Sequence, residues 1–149
     1  MAYLRPPGEI LAEANNIDTV KERADFLRAN LRPVLRVLLA CVFNPNITFP
    51  DYSDVKWKPL QNPRGITDTN LDKECRRIYI FASDVNIPLE RKKAKLIQML
   101  EGMHVDDSDL LFNYVLKKKL PYSKITNSFM TKSFPEVFNT YINPAIYGR

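Results

Sequence analysis

Residues Leu110–Phe138 read LLFNYVLKKKLPYSKITNSFMTKSFPEVF, and how that run is parsed sets the fold class. An apolar helical pattern leads into Lys117, Lys118 and Lys119. Pro121-Tyr122-Ser123 interrupts it, because proline cannot continue a helix and restricts the residue before it. A second short helical pattern follows and stops at Phe134-Pro135, with one more turn expected through Phe138. From Leu110 to the end there are six basic residues and one acidic residue. This segment therefore holds the whole net charge of +5, and the rest of the chain is balanced. Positive charge gathered at one end is the electrostatic footprint of a surface that meets phosphate. The same lysines also fit a plainer role, since cations near a helix C-terminus complement its dipole.

Upstream of this run the same helical period recurs. Asp109–Lys118 is expected as a sixth helix, capped by Ser108 or Asp107, with aspartates at its start and lysines at its end as the dipole prefers. Asn86–Leu100 is expected as a fifth, with Leu89, Leu96, Ile97 and Leu100 inward, Arg91, Lys92, Lys93 and Lys95 outward, and Gly102 as its stop. Thr69–Ser83 is a fourth, with Leu71, Cys75, Ile78 and Ala82 on one face and Arg76 and Arg77 opposite. Pro33 suits the first position of a third helix, which is apolar on nearly every side through Phe43 apart from Arg36. A helix greasy all round is buried, so this one is the expected centre of the core. Thr19-x-x-Glu22 is a capping box opening the second helix. That helix presents Val20, Ala24, Leu27 and Leu31 as a stripe, with Lys21, Arg23, Asp25 and Arg28 facing away. The first helix runs from Pro7 to about Asn15.

Between the third and fourth helices lies Asn44–Thr67, where Pro45, Pro50, Pro59 and Pro63 forbid a long helix. Loops of this length are uncommon in small domains and are often functional. Phe49, Tyr52 and Trp57 alternate here with Lys56, Lys58 and Arg64, an arrangement suited to rings facing the core and cations facing out. No strand pattern occurs. About seven short helices around one apolar helix give an all-α single domain, with residues 139–149 as a C-terminal tail.

At 149 residues the chain is long enough to bury a core, and 45% hydrophobic with 26% charged residues is ordinary for a soluble protein. No apolar run approaches the ~20 residues that span a bilayer. The first ten residues lack the apolar centre of a signal peptide, so a cytoplasmic protein is expected. Cys41 and Cys75 both fall on apolar helix faces and are expected as buried thiols. With four glycines there is no phosphate loop and no dinucleotide fingerprint. His104 is the only histidine. Beside Asp106, Asp107 and Asp109 it forms a solvated helix cap. It does not form a metal site, because the pattern lacks the glycine and terminal glutamate of a calcium loop and the thiolates of a zinc site. Neither a catalytic constellation nor a cofactor is expected.

The order Leu110-Leu111, Val115-Leu116, Leu120, Ser123-x-Ile125-x-Asn127 and Phe134-Pro135-x-x-Phe138 resembles the N-terminal DNA-binding domain of ATP-dependent DNA ligases, above all those of T-even bacteriophages. Ile10-Leu11-x-Glu13, Lys21-x-Arg23, Leu27 and Lys56-Trp57-Lys58-Pro59 extend the likeness over nearly the whole chain. Two departures stand out. Pro121-Tyr122 replaces a small pair that lets backbone approach phosphate, and the ligase motif Lys-x-Asp-Gly is absent. The resemblance implies a stand-alone, non-catalytic phage protein of DNA replication or repair that grips duplex DNA by its backbone along the minor groove.

The residues themselves point the same way. Ser123, Lys124, Thr126 and Asn127 are expected at a helix start, where free N–H groups suit phosphate. Lys117, Lys118 and Lys119 precede it and Lys132 follows it. Lys56, Lys58 and Arg64 are placed to hold the backbone from a second side. Such contacts position a protein on DNA without reading sequence. The rival expectation is an adaptor or inhibitor that docks on a replication protein such as a sliding clamp, anchored by the aromatic loop and by Tyr141, Ile142, Ile146 and Tyr147. A helix-turn-helix regulator fits less well, because the helix after Leu120–Lys124 is poor in arginine and glutamine for base readout.

Overall fold

The third helix occupies the centre, as its composition requires. The computed structural model describes residues 5–63 and 66–139, the side chain of Asn139 excepted. Among these residues there are eight helices and no strand. They are α1 (Pro7–Asn15), α2 (Val20–Ala29), α3 (Pro33–Phe43), α4 (Leu71–Glu74), α5 (Leu89–Gly102), α6 (Val105–Asp109), α7 (Asn127–Ser133) and α8 (Glu136–Asn139). α4 tightens into a 3-10 helix over Cys75–Phe81. α6 continues through a π-helical stretch, Leu110–Tyr114, and a 3-10 turn, Val115–Lys117. No helix of the described residues is long and apolar enough to cross a membrane.

α3 is buried from Val34 to Val42 except at Arg36, which reaches solvent. It packs against the 3-10 helix 75–81, the end of the α6 helix and α8. Leu35, Leu38 and Leu39 are fully enclosed. Each such leucine removed from water stabilises the fold by about 1.5–3 kcal/mol, so this helix is the main store of apolar burial. Cys41 and Cys75 are free and buried, and enclosure pushes the Cys41 thiol up to about 12.

Local chemistry explains most helix starts. The Thr19 hydroxyl accepts from the Glu22 N–H at 3.3 Å and opens α2. Asn70, rather than Thr69, opens α4 by accepting from the Lys73 N–H at 2.9 Å. His104 opens α6, its Nδ1 accepting from the Asp106 N–H at 3.1 Å. That start lies four residues ahead of the one expected from sequence. Asp107 and Ser108 therefore sit inside the helix: the Asp107 carboxylate accepts from the Leu71 N–H and the Ser108 hydroxyl donates to the Leu100 carbonyl.

Four orientations differ from the amphipathic reading. Val20 is 56% exposed and Leu89 40% exposed, so neither joins the core. Arg23 is 4% exposed and Lys92 3% exposed, so both turn inward. Arg23 donates to the carbonyls of Ile17 and Asp18 and lies 5.4 Å from the Phe129 ring centre. Lys92 donates to the Ala82 carbonyl at 2.7 Å. In each case backbone carbonyls take up the buried charge, which is what makes its burial tolerable, although the Arg23 Nε has no hydrogen-bond partner among the described residues.

The long segment after α3 lies across the body with its rings inward. The Tyr52 hydroxyl donates to the Phe81 carbonyl at 2.7 Å. Trp57 meets Phe112 edge-on, with ring centres 5.8 Å apart. Lys56 and Lys58 face solvent.

Arg28 fastens α2 to the end of the described chain. Its guanidinium forks onto Glu136 at 2.6 and 3.3 Å, donates to the Ser133 carbonyl at 2.7 Å and lies 4.4 Å over the Phe134 ring. The hydrogen bond from Arg28 is the main reason the Glu136 carboxyl is held below its usual range. A lowered acid pKa contributes stability above the unfolded value, about 4.3, and loses it as pH falls through the folded value. Arg28→Met is therefore expected to destabilise the protein by about 1–2 kcal/mol at neutral pH. The gap in melting temperature between variant and parent is expected to narrow as pH falls below the unfolded carboxyl value of about 4.3, as followed by circular dichroism.

Candidate nucleic-acid interface

The lysine triplet divides. Lys118 takes a left-handed backbone, φ 56° and ψ 46°, and ends the α6 helix. Its N–H donates to the Val115 carbonyl at 2.9 Å, and the Lys119 N–H reaches the Tyr114 carbonyl at 3.0 Å. This is the pattern that glycine normally closes, here with lysine at the left-handed position. A side chain there costs about 1–2 kcal/mol.

The side chain offsets that cost. The Lys118 ammonium donates to the carbonyls of Cys41, Asn44 and Ile47, at 2.7, 2.9 and 2.5 Å. These are carbonyls at and just beyond the end of α3, where the helix dipole is negative. Partial burial pushes the Lys118 pKa down. The triplet was expected to present three ammonium groups together. It presents Lys117 and Lys119, which are exposed and have no ion-pair partner among the described residues.

The expected phosphate-binding helix start also closes on itself. α7 begins at Asn127, three residues later than a Ser123 cap would place it. The Thr126 hydroxyl caps it, accepting from the Phe129 N–H at 3.1 Å. Ser123 stands exposed in the preceding turn. The Lys124 N–H donates to the Asn15 side chain at 2.8 Å, and its ammonium lies 3.5 Å from Asp18. The sequence signals neither partner of Lys124, Asn15 at the end of α1 nor Asp18 in the turn after it, beyond marking Asn15-Asn16 as a helix end. Asn127 and Lys132 remain exposed at the two ends of α7.

The aromatic segment brings the second set of lysines beside the α6 helix. The Lys58 N–H donates to Glu101 at 2.8 Å, and Trp57 between Lys56 and Lys58 rests on Phe112. The ammonium groups of Lys56 and Lys58 have no ion-pair partner among the described residues. A notch of about 250 Å³ separates Phe49, Pro50 and Tyr52 from Phe112, Leu116 and Lys117. Asp51 lines it too. Its carboxylate is held below the usual range chiefly by hydrogen bonds from Ser53, with Lys117 adding a smaller effect. Arg64 and the tail aromatics from Tyr141 onward lie outside the described residues. No group of three or more histidine, cysteine, aspartate or glutamate side chains is placed to hold a metal among the described residues.

Compared with known protein families, curated proteins and solved structures, the chain matches none. The likeness to the ligase DNA-binding domain therefore rests on the sequence pattern alone.

Replacing Lys118 separates its two roles. Lys118→Met leaves three carbonyls short of a donor and is expected to cost about 2–4 kcal/mol. Lys118→Gly loses the same ammonium but frees the left-handed backbone, and is expected to cost about 1 kcal/mol less than the methionine variant. Lys117→Met and Lys119→Met are expected to stay within about 0.5 kcal/mol of the parent. Urea denaturation of the four variants checks all three statements.

Proposed function

We propose that the protein is a non-catalytic helical domain that binds duplex DNA by its phosphates, without strong sequence preference. The observation that supports this most is the pair Lys117 and Lys119, exposed and unpaired on the segment that carries the whole net charge. Lys132 adds a third free cation on the same segment, and Lys56 and Lys58 approach from the loop that packs on Phe112. Lys124 joins them once Asp18 lets go. This surface is narrower than the one expected from sequence, because Lys118 belongs to the fold and Thr126 covers the start of α7.

Binding of this kind releases counterions. The logarithm of the association constant falls by about 0.9 for each phosphate neutralised per decade of salt. Lys117→Glu/Lys119→Glu is expected to weaken binding to a random duplex at least about tenfold and to reduce the salt slope by about 2. Gel shift and fluorescence anisotropy at two salt concentrations read both effects. An affinity untouched by the double reversal removes the proposed surface. The rival reading, a protein-docking module, rests on the notch of about 250 Å³ beside Lys117. It is favoured if duplex binding is absent and a replication protein is bound with no salt dependence.

A further inference from the structure

A second concave site lies away from these lysines, between the 3-10 helix 75–81 and α5, and has a volume of about 580 Å³. Two helical periods build it. A 3-10 helix repeats every three residues, so Glu74, Arg77 and Ile80 fall in one row. An α-helix brings positions i, i+3, i+4 and i+7 to one face, so Lys95, Gln98, Met99 and Gly102 form the facing row. All seven residues line the groove. Its closed end is pinned by the Thr69 N–H, which donates to the Gly102 carbonyl at 3.0 Å.

Folding leaves two cations of this groove exposed. On α5, Lys92 is spent on the Ala82 carbonyl and Lys93 pairs with Asp54 at 2.8 Å. Lys95, two residues on, is exposed and has no ion-pair partner among the described residues. Arg77 is 70% exposed and lies 3.9 Å from Glu74, whose carboxylate already accepts from the Thr69 hydroxyl at 2.9 Å. Half-buried Ile80 gives the groove an apolar wall, with Phe81 and Met99 buried behind it, and exposed Asp68 also lines it.

The chemistry is that of a small ligand with three parts. Two cations suit a phosphate, an apolar shelf suits a flat ring, and a carboxylate beside a threonine suits hydroxyl groups. We propose that this groove binds a phosphorylated small molecule of mononucleotide size. Arg77 and Lys95 hold its phosphate, the ring lies against Ile80, and Asp68 accepts from its hydroxyls. The proposal does not depend on duplex binding, which uses other residues.

The test titrates the full chain separately with adenosine 5′-monophosphate, adenosine and inorganic phosphate, followed by calorimetry and by amide chemical shifts. The nucleotide is expected to bind at least about tenfold tighter than either fragment, with shifts centred on residues 77–81 and 95–102. Lys95→Glu and Arg77→Glu are each expected to weaken nucleotide binding about tenfold or more, with an unchanged circular dichroism spectrum and unchanged duplex affinity. Lys117→Glu/Lys119→Glu is expected to leave nucleotide binding intact, which separates this site from the duplex surface. The proposal is overturned if inorganic phosphate alone reproduces the response, if the response survives both charge reversals, or if millimolar nucleotide leaves the groove amides unmoved.

Discussion

One ammonium group holds the centre of this molecule together. Lys118 reaches across from the end of the α6 helix and gathers three carbonyls at the end of α3. Asn44, one of the three acceptors, uses its side chain to accept from the Asn46 N–H and to donate to the Val137 carbonyl. The close of α3, the start of the long aromatic segment, the close of the α6 helix and α8 therefore meet around one charge. The most apolar helix of the chain gains its termination from a residue 77 positions away from Cys41.

The same device recurs at other helix ends. Lys92 donates to the Ala82 carbonyl after the 3-10 helix, Arg28 to Ser133 at the end of α7, and Arg23 to Ile17 and Asp18 just beyond α1. Helices usually end with a glycine that turns the chain left-handed and lets backbone N–H groups meet the last carbonyls. This chain has four glycines. Gly8 lies within α1 and Gly102 is the last residue of α5. Long basic side chains do the work instead, and each supplies a donor and a positive charge to the negative end of a helix.

That use of cations decides which charges are left for binding. Counting lysines places three ammonium groups together after Leu116. Folding withdraws the middle one, and withdraws Lys92 and Lys93 from the outer face of α5 in the same way. What stays exposed is sparse: Lys117, Lys119 and Lys132 on one segment, Lys56 and Lys58 on the aromatic segment, Arg77 and Lys95 beside the groove. The two proposed surfaces are built from those residues; apart from Arg77, which keeps a 3.9 Å contact with Glu74, none has an ion-pair partner among the described residues.

Local pattern was enough for much of the architecture. The buried α3 with exposed Arg36, the Thr19 cap, the inward Leu71, Cys75 and Ile78, and the stop at Phe134-Pro135 could all be read from residues within a few positions of each other. Hydrophobic period, hydroxyl caps and proline geometry act over one or two turns, so one chain suffices to see them. The fates of Lys118, Lys92, Arg23, Val20 and Leu89 could not be read that way. A lysine or arginine stem is as apolar as it is long, and its charged tip settles wherever acceptors lie within reach. Those acceptors are carbonyls brought near only by packing, which is why tertiary structure alone decided which cations hold the fold and which face solvent.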